Sequence, residues 1–456
     1  MNRQELEERA EALLSRALDA GADAAEVFAT ERRSLSAKFE KGDLGQVQSD
    51  EGRSVGLRVI VGGRLGFTST NQTSDASLSA AAAEAVAIAR TSPPDEANVL
   101  PDASEIDSAL LVGPRVDGAL SGWSIEAAVE HAAELNRRAA AHDPRLSVDR
   151  ASVSSIAGST LVLSSRGVRA YDEDAAATLS LMALATDGDE TGGFDYRGAV
   201  LRRADELDGE SQRIAREVAD ACVGNLGAKP GKSYVGPVLF APAAFATAFV
   251  GPFASALSGL AVQRQRSGLA DKLGEIVAPG VRIVDDPGDL QAAGACAFDR
   301  EGQPAQRRSL VEDGVLTTFL HNAYTGAVGG HPSTGHASGG ARSTPGIGAH
   351  ALDVAPVSDA ALADESAALA ALGTGLYVQR LSGSVDAASG DFSGAAKSAR
   401  WVENGQVVGA VQEVMLSGNA FELLAAGPTL TRERVRLGGS SQLPWALVDG
   451  VSVTGA

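Results

Sequence analysis

Twice along this chain an apolar period of helical spacing gives way to strand-like alternation, an order that neither an all-helical nor an all-strand architecture accommodates. The first instance sets Leu6, Ala10, Leu13, Leu14 and Leu18 on one helical face and stops at Gly21, as a glycine C-cap would. AEVFATE, LSAKFEKG, SVGLRVIVGG and RLGFTSTN follow and read as an antiparallel meander with glycine-containing turns. A second helix over Ser77 to Arg90 closes this unit before Pro93-Pro94. The second instance runs from a helical pattern over Ser124 to Ala141 into alternation through RLSVDRASVSSIAGSTLVLSSRGVRAYDEDAAATLSLMALATDG. A charged helix from Arg203 to about Asn225 ends at GAKPGKSYVG, whose proline and glycines mark an interdomain boundary. The expected fold class is α+β. Residues 1–115 and 116–229 form two N-terminal helix-plus-antiparallel-sheet layers, and residues 230–456 form a β-rich C-terminal domain with one buried helix.

That helix is expected near residues 243–260. Ala241 to Val262 carries no charge and is long enough to suggest a membrane span, but Pro242, Gly251, Pro252 and Gly259 among small residues favour a buried helix. A 44% hydrophobic content with 4% aromatic residues means cores built from Ala, Val, Leu and Ile. A net charge of −19 repels a phosphate backbone and argues against nucleic-acid binding. The N-terminal stretch mixes charges through an amphipathic pattern and lacks the build of a signal peptide, and two distant cysteines make no disulfide framework, so a cytoplasmic location is expected. Cys222, in a helix pattern, and Cys296, in a small-residue run, have no partner base close in sequence and read as packing residues.

A zinc peptidase helix usually brackets a glutamate with two histidines, and none of the six histidines here is so placed. Glu130-His131 lies on a polar helix face and reads as a solvated surface pair. His331, His336 and His350 fall within the Gly/Ser-rich loop HPSTGHASGGARSTPGIGAH and would gather a metal only with an added carboxylate; without one nearby in sequence, hydrogen-bonded loop histidines are the commoner reading. His336, between small residues, is a candidate to bind a peptide carbonyl or move a proton. No GxSxG elbow, P-loop or strand-to-helix GxGxxG is present.

The collinear runs AFDREGQPAQRRSLVEDGVLTTFLHN, STGHA, GTGLYVQRLSGSVDAASGDFSG, WVENGQ and EVMLSGN resemble the PmbA/TldE branch of the TldD/PmbA metallopeptidase family. GLRVIVGGRLGF and FDYRG extend the resemblance over nearly the whole chain. It implies a protein paired with a TldD-type subunit that carries HExxxH and a distal cysteine as zinc ligands. In this chain Val250, Gly251 and Ser255 stand at the HExxxH positions and Gly438 near the cysteine position. The implied chain therefore has no catalytic residue and no metal of its own, with zinc in the partner and a peptide as substrate. Such families are associated with peptide-antibiotic maturation and natural-product pathways. The Gly-rich stretch Ser389 to Gly394 allows close backbone approach beside a sheet edge, so Asp391, Phe392 and Ser393 are candidates, with His336, to line a shared peptide chamber; the alternative is a tight turn capped by Asp391 with Phe392 in the core. Two rivals remain: a homo-oligomeric protein that binds a peptide or conjugate without cleaving it, and an independent hydrolase with a metal in the His331–His350 loop.

Overall fold

The computed structural model describes residues 3–106, 116–359 and 361–455; the boundary expected after residue 115 falls at the edge of the segment outside them. Helix α1 (Arg3–Asp19) buries Leu6, Ala10, Leu13 and Ala17, while Leu18, expected on that face, is exposed. The chain leaves it through Gly21 at φ +102°. Strands β1 (Ala24–Glu40), β2 (Asp43–Val61) and β3 (Arg64–Thr70) form the meander. AEVFATE and LSAKFEKG are thus one strand up to Glu40, because RRS between them has no glycine or proline to break the pleat. Helix α2 (Asp75–Thr91) starts at Ser74, whose hydroxyl accepts from the Ser77 N–H. Helix α3 (Ile125–His142), strands β4 (Leu146–Ser164), β5 (Arg169–Asp187) and β6 (Asp195–Leu201), and helix α4 (Leu207–Gly224) repeat the order.

The two N-terminal units share one sheet, β3-β2-β1-β4-β5-β6, whose central pairing runs antiparallel from Glu26↔Ser164 to Glu40↔Arg150. Alternation along β1 divides the work of its faces. Val27 and Ala29 pack in the cluster with α1 and α2, and Leu35 and Ala37 in the cluster with α3 and α4. Glu26 and Phe28, on the opposite face, meet the C-terminal unit at Arg300 and Phe298.

The C-terminal sheet contains β7 (Tyr234–Phe240), β8 (Val281–Asp285), β9 (Arg308–Glu312), β10 (Leu352–Pro356), β11 (Gly375–Val385), β12 (Asp391–Glu403), β13 (Gln406–Gln412), β14 (Met415–Asn419), β15 (Thr429–Leu437) and β16 (Ser441–Thr454). Five of these pair in a closed circuit, β16-β7-β11-β12-β14 and back to β16. The expected buried helix is there, in a more broken form. Helix α5 (Pro242–Phe245) runs through a π-helical turn, Ala246–Val250, into α6 (Gly251–Ala256), and a separate helix, α7 (Gly259–Gln263), follows. Phe240, Phe245 and Phe249 are fully buried there, with Phe249 5.7 Å from the Phe392 ring. Among the described residues no helix is long and apolar enough to cross a membrane.

Candidate functional site

A buried cluster of ionisable side chains lies where the N-terminal sheet meets the C-terminal unit. Glu26, on β1, receives Arg58 Nη2 at 2.6 Å and Arg300 Nη1 at 2.9 Å, and Arg58 Nη1 lies 2.8 Å from Glu301 Oε1. All four residues are buried, so the charges compensate one another out of water. Arg300 also lies over the Phe28 ring, 3.8 Å from its centroid. The FDREG run is therefore the latch between the two sheets. Its Asp299 accepts the N–H groups of Glu301 and Gln303 on one oxygen and of Ala337 on the other, at 2.8, 3.0 and 2.9 Å. Burial, reinforced by neighbouring Glu301, pushes the Asp299 carboxyl up to about 7.

Ala337 follows His336, and here the structure assembles what the sequence left scattered. Asp285 ends β8 and is fully buried. It accepts from the backbone N–H of His350 at 3.0 Å and of Ala351 at 2.6 Å, and its Oδ2 lies 3.0 Å from His336 Nε2. These bonds outweigh burial and hold the Asp285 carboxyl below its ordinary range. His350 Nε2 donates to the Gly335 carbonyl at 2.8 Å, leaving Nδ1 to face Cys296 Sγ at 3.3 Å. Burial holds the His350 imidazole below its usual range. Asp285, His336 and His350 each present one ligand atom within 4.8 Å of the others.

Several expectations change accordingly. Cys296 is half-buried beside an imidazole, not a packing residue, whereas Cys222 is buried, donates to the Ala183 carbonyl at 3.1 Å, and has its thiol pushed up to about 11 by burial. The carboxylate that the loop histidines lacked is Asp285, fifty-one residues from His336 in the chain. His331 takes no part: it is exposed and stacks edge-on against His321 at 4.1 Å. His131 is not a solvated surface residue but half-buried, stacked on Trp123 at 5.0 Å. Asp285 and Cys296 escaped sequence reasoning because nothing local marks them; the paired aspartates ending the strand pattern VRIVDD were the one available signal.

The other candidates lie elsewhere. Asp391 is exposed and bound to its own turn, accepting from Ser389 Oγ at 3.0 Å and Asn419 Nδ2 at 2.9 Å. Phe392 is core and Ser393 is exposed; both pair with β11 on one side and β14 on the other and so are not at a free edge, while Asp391 pairs with β14. In the interrupted helix Val250 is buried, while Gly251 and Ser255 face outward with Ser255 Oγ donating to the Gly251 carbonyl at 2.9 Å. Gly438 is exposed at φ +56° in the turn from β15 to β16, next to Gly439, whose carbonyl accepts from Ala293 at 2.7 Å.

Cys296 and His350 open on a cleft of about 270 Å³ together with Arg32, Asp172 and Asp174. A larger cleft of about 890 Å³, lined by Glu31, Arg53, Tyr171 and Glu173, shares Arg32 and Asp174 with it. Charges of both signs line these two neighbouring clefts, which suits a zwitterionic, hydrogen-bonding occupant better than an apolar one.

Comparison with known proteins agrees with this architecture. Residues 25–89, 119–226 and 232–455 match family models described as PmbA/TldA metallopeptidase domain 1, central domain and C-terminal domain. The chain is 29% identical to a metalloprotease PmbA homolog of Haemophilus influenzae, over 92% of this chain and 90% of that protein. It is 28% identical to metalloprotease PmbA of Escherichia coli O157:H7, over 88% and 86%. The solved structure of TldE from Thermococcus kodakarensis superposes with a TM-score of 0.87 at 23% identity, covering 98% of this chain and all of that one. On the strength of three matched domains spanning nearly its full length, the chain belongs to the PmbA/TldD family of metallopeptidases.

Proposed function

We propose that this chain is the non-catalytic subunit of a heterodimeric, cytoplasmic zinc metallopeptidase, pairing with a TldD-type subunit that supplies the catalytic zinc, and that together they enclose a chamber in which unfolded or small peptides are degraded or matured. Peptide-antibiotic or natural-product processing falls within that substrate class. The observation that carries the reading is the helix around Val250, Gly251 and Ser255. Valine and glycine offer no donor atom there, and the one hydroxyl is bound back to a backbone carbonyl. A peptidase zinc needs protein ligands and a carboxylate to take the proton from its water, and these positions supply neither. The family relatives named metalloprotease PmbA and metalloprotease TldD are in keeping with a two-subunit arrangement.

Co-expression with a TldD-type protein tests the proposal. The expected result is a stable heterodimer that cleaves an unfolded test peptide, with cleavage abolished by replacing the partner's motif histidines and absent from this chain alone. Cleavage by this chain alone would refute it, and a homo-oligomer that holds peptide intact would favour a binding protein instead.

A further inference from the structure

We propose that Asp285, His336, His350 and Cys296 form a closed, structural zinc site in this chain. The inference goes beyond a subunit lacking catalytic metal, since a site with four protein ligands has no open position for a reactive water.

The position of the protons makes the case. His336 Nδ1 lies 2.8 Å from the Thr334 carbonyl, a group that only accepts, so this nitrogen carries a proton. Thr334 Oγ1, 2.9 Å from the same nitrogen, is itself turned to the His321 carbonyl at 3.1 Å. Nε2 then points at Asp285 Oδ2 across 3.0 Å, and both atoms are acceptors unless a positive charge lies with them. His350 repeats the pattern: Nε2 donates to the Gly335 carbonyl and Nδ1 is left as a lone pair beside Cys296 Sγ at 3.3 Å. Two successive carbonyls of one loop, Thr334 and Gly335, thus fix both rings and aim their free nitrogens inward. Metal-binding histidines are oriented by this kind of outer contact.

Donor chemistry and spacing agree. Two imidazole nitrogens, one carboxylate oxygen and one sulfur are a zinc-type set, and ligand bonds of about 2.0–2.3 Å place neighbouring donors roughly 3.3–3.8 Å apart in a tetrahedron. The contact of 3.0 Å is close to that, and the donors of Asp285, His336 and His350 lie within 4.8 Å of one another; Cys296 Sγ, 3.3 Å from His350 Nδ1 but outside that group of three, would have to swing inward to complete the tetrahedron. Binding would displace two protons, the thiol proton of Cys296 and the one held between Asp285 and His336, giving a neutral cluster of one divalent cation, one thiolate and one carboxylate. Neutrality matters, because Asp285 and His336 are fully buried. The cleft at Cys296 and His350 gives an ion its entry. The ion would tie the end of β8 to the loop carrying His336 and His350.

The test uses the full chain, stripped with a chelator and titrated with Zn²⁺ or Co²⁺ alone. One equivalent should bind, and the cobalt form should show tetrahedral visible bands with a near-ultraviolet thiolate charge-transfer band. Cys296→Ser should lose that band and weaken binding at least about 10-fold, and His336→Gln should weaken it by about 100-fold. Cys222→Ala should change neither. Should a variant fail to fold, the unaltered chain still decides: zinc, and not magnesium, should raise its Tm. Absence of stoichiometric binding, or binding indifferent to Cys296→Ser, would overturn the site and leave a proton shared by Asp285 and His336. Peptide cleavage by the zinc-loaded chain would refute the non-catalytic role while leaving the metal site standing, so the two readings fail separately.

Discussion

Asp299 shows how a single side chain carries both packing and titration. Its carboxyl is held at about 7 by burial and by Glu301, against about 3.9 in an unfolded chain, so the native state favours the protonated form. Its contribution to stability is therefore whole below about pH 4 and falls away as the pH rises through 7. Asp285 has the opposite sign: its lowered carboxyl stabilises at neutral pH and loses that effect as the pH falls. Asp299→Asn removes the first effect and leaves the second. Urea unfolding from pH 4 to 8 should show the advantage of the unaltered protein over Asp299→Asn shrinking with pH, by on the order of 3 kcal/mol over the range. A difference that is flat or grows with pH would disprove the assignment. None of this was legible in FDREG as letters, since the value depends on a contact with Ala337 and on enclosure by the other sheet. His336 was legible as a residue of interest, but its partner was not.

Elements were read from the sequence where the signal is periodic and local. Helix α2, expected over Ser77 to Arg90, spans Asp75–Thr91, and α3, expected over Ser124 to Ala141, spans Ile125–His142, each with a serine cap at the start. The buried helix near 243–260 was visible from its missing charges, but its π-helical turn was not, because a wide turn leaves no compositional mark. The two sides of that helix should respond to substitution very differently. Phe249 is fully buried against Phe240, Phe245 and Phe392, so Phe249→Ala should cost about 3–5 kcal/mol. Ser255, outward-facing and bonded only to Gly251, should change stability by no more than about 0.5 kcal/mol when replaced by alanine. Chemical denaturation of both variants checks the contrast. A large loss at Ser255 would mean that its hydroxyl does more than satisfy a carbonyl.

At the scale of the molecule, the α+β class followed from the repeated order of periods, yet the union of two layers in one sheet did not. β1 and β4 are brought together across more than a hundred residues, and no local pattern records which edge a strand will find. The same sheet then turns its other face to the C-terminal unit, and Gly56 shows how closely. It pairs with Phe28 on that face, and a Cβ added there would come within 2.4 Å of the Ala341 carbonyl, a backbone atom with little room to yield. Gly56→Val should push the two sheets apart and strain the buried Glu26–Arg300 contact without touching the core of either unit. In calorimetry the unaltered chain should unfold with its N-terminal sheet and C-terminal unit coupled, and Gly56→Val should resolve two transitions, the lower moved by at least about 2 °C. Because β1 and β4 hold the two N-terminal layers in one sheet, those layers should melt together in both proteins. A single unshifted transition in Gly56→Val would show that the Glu26, Arg58, Arg300 and Glu301 network alone couples the halves, and that the close approach at Ala341 contributes no measurable part of that coupling.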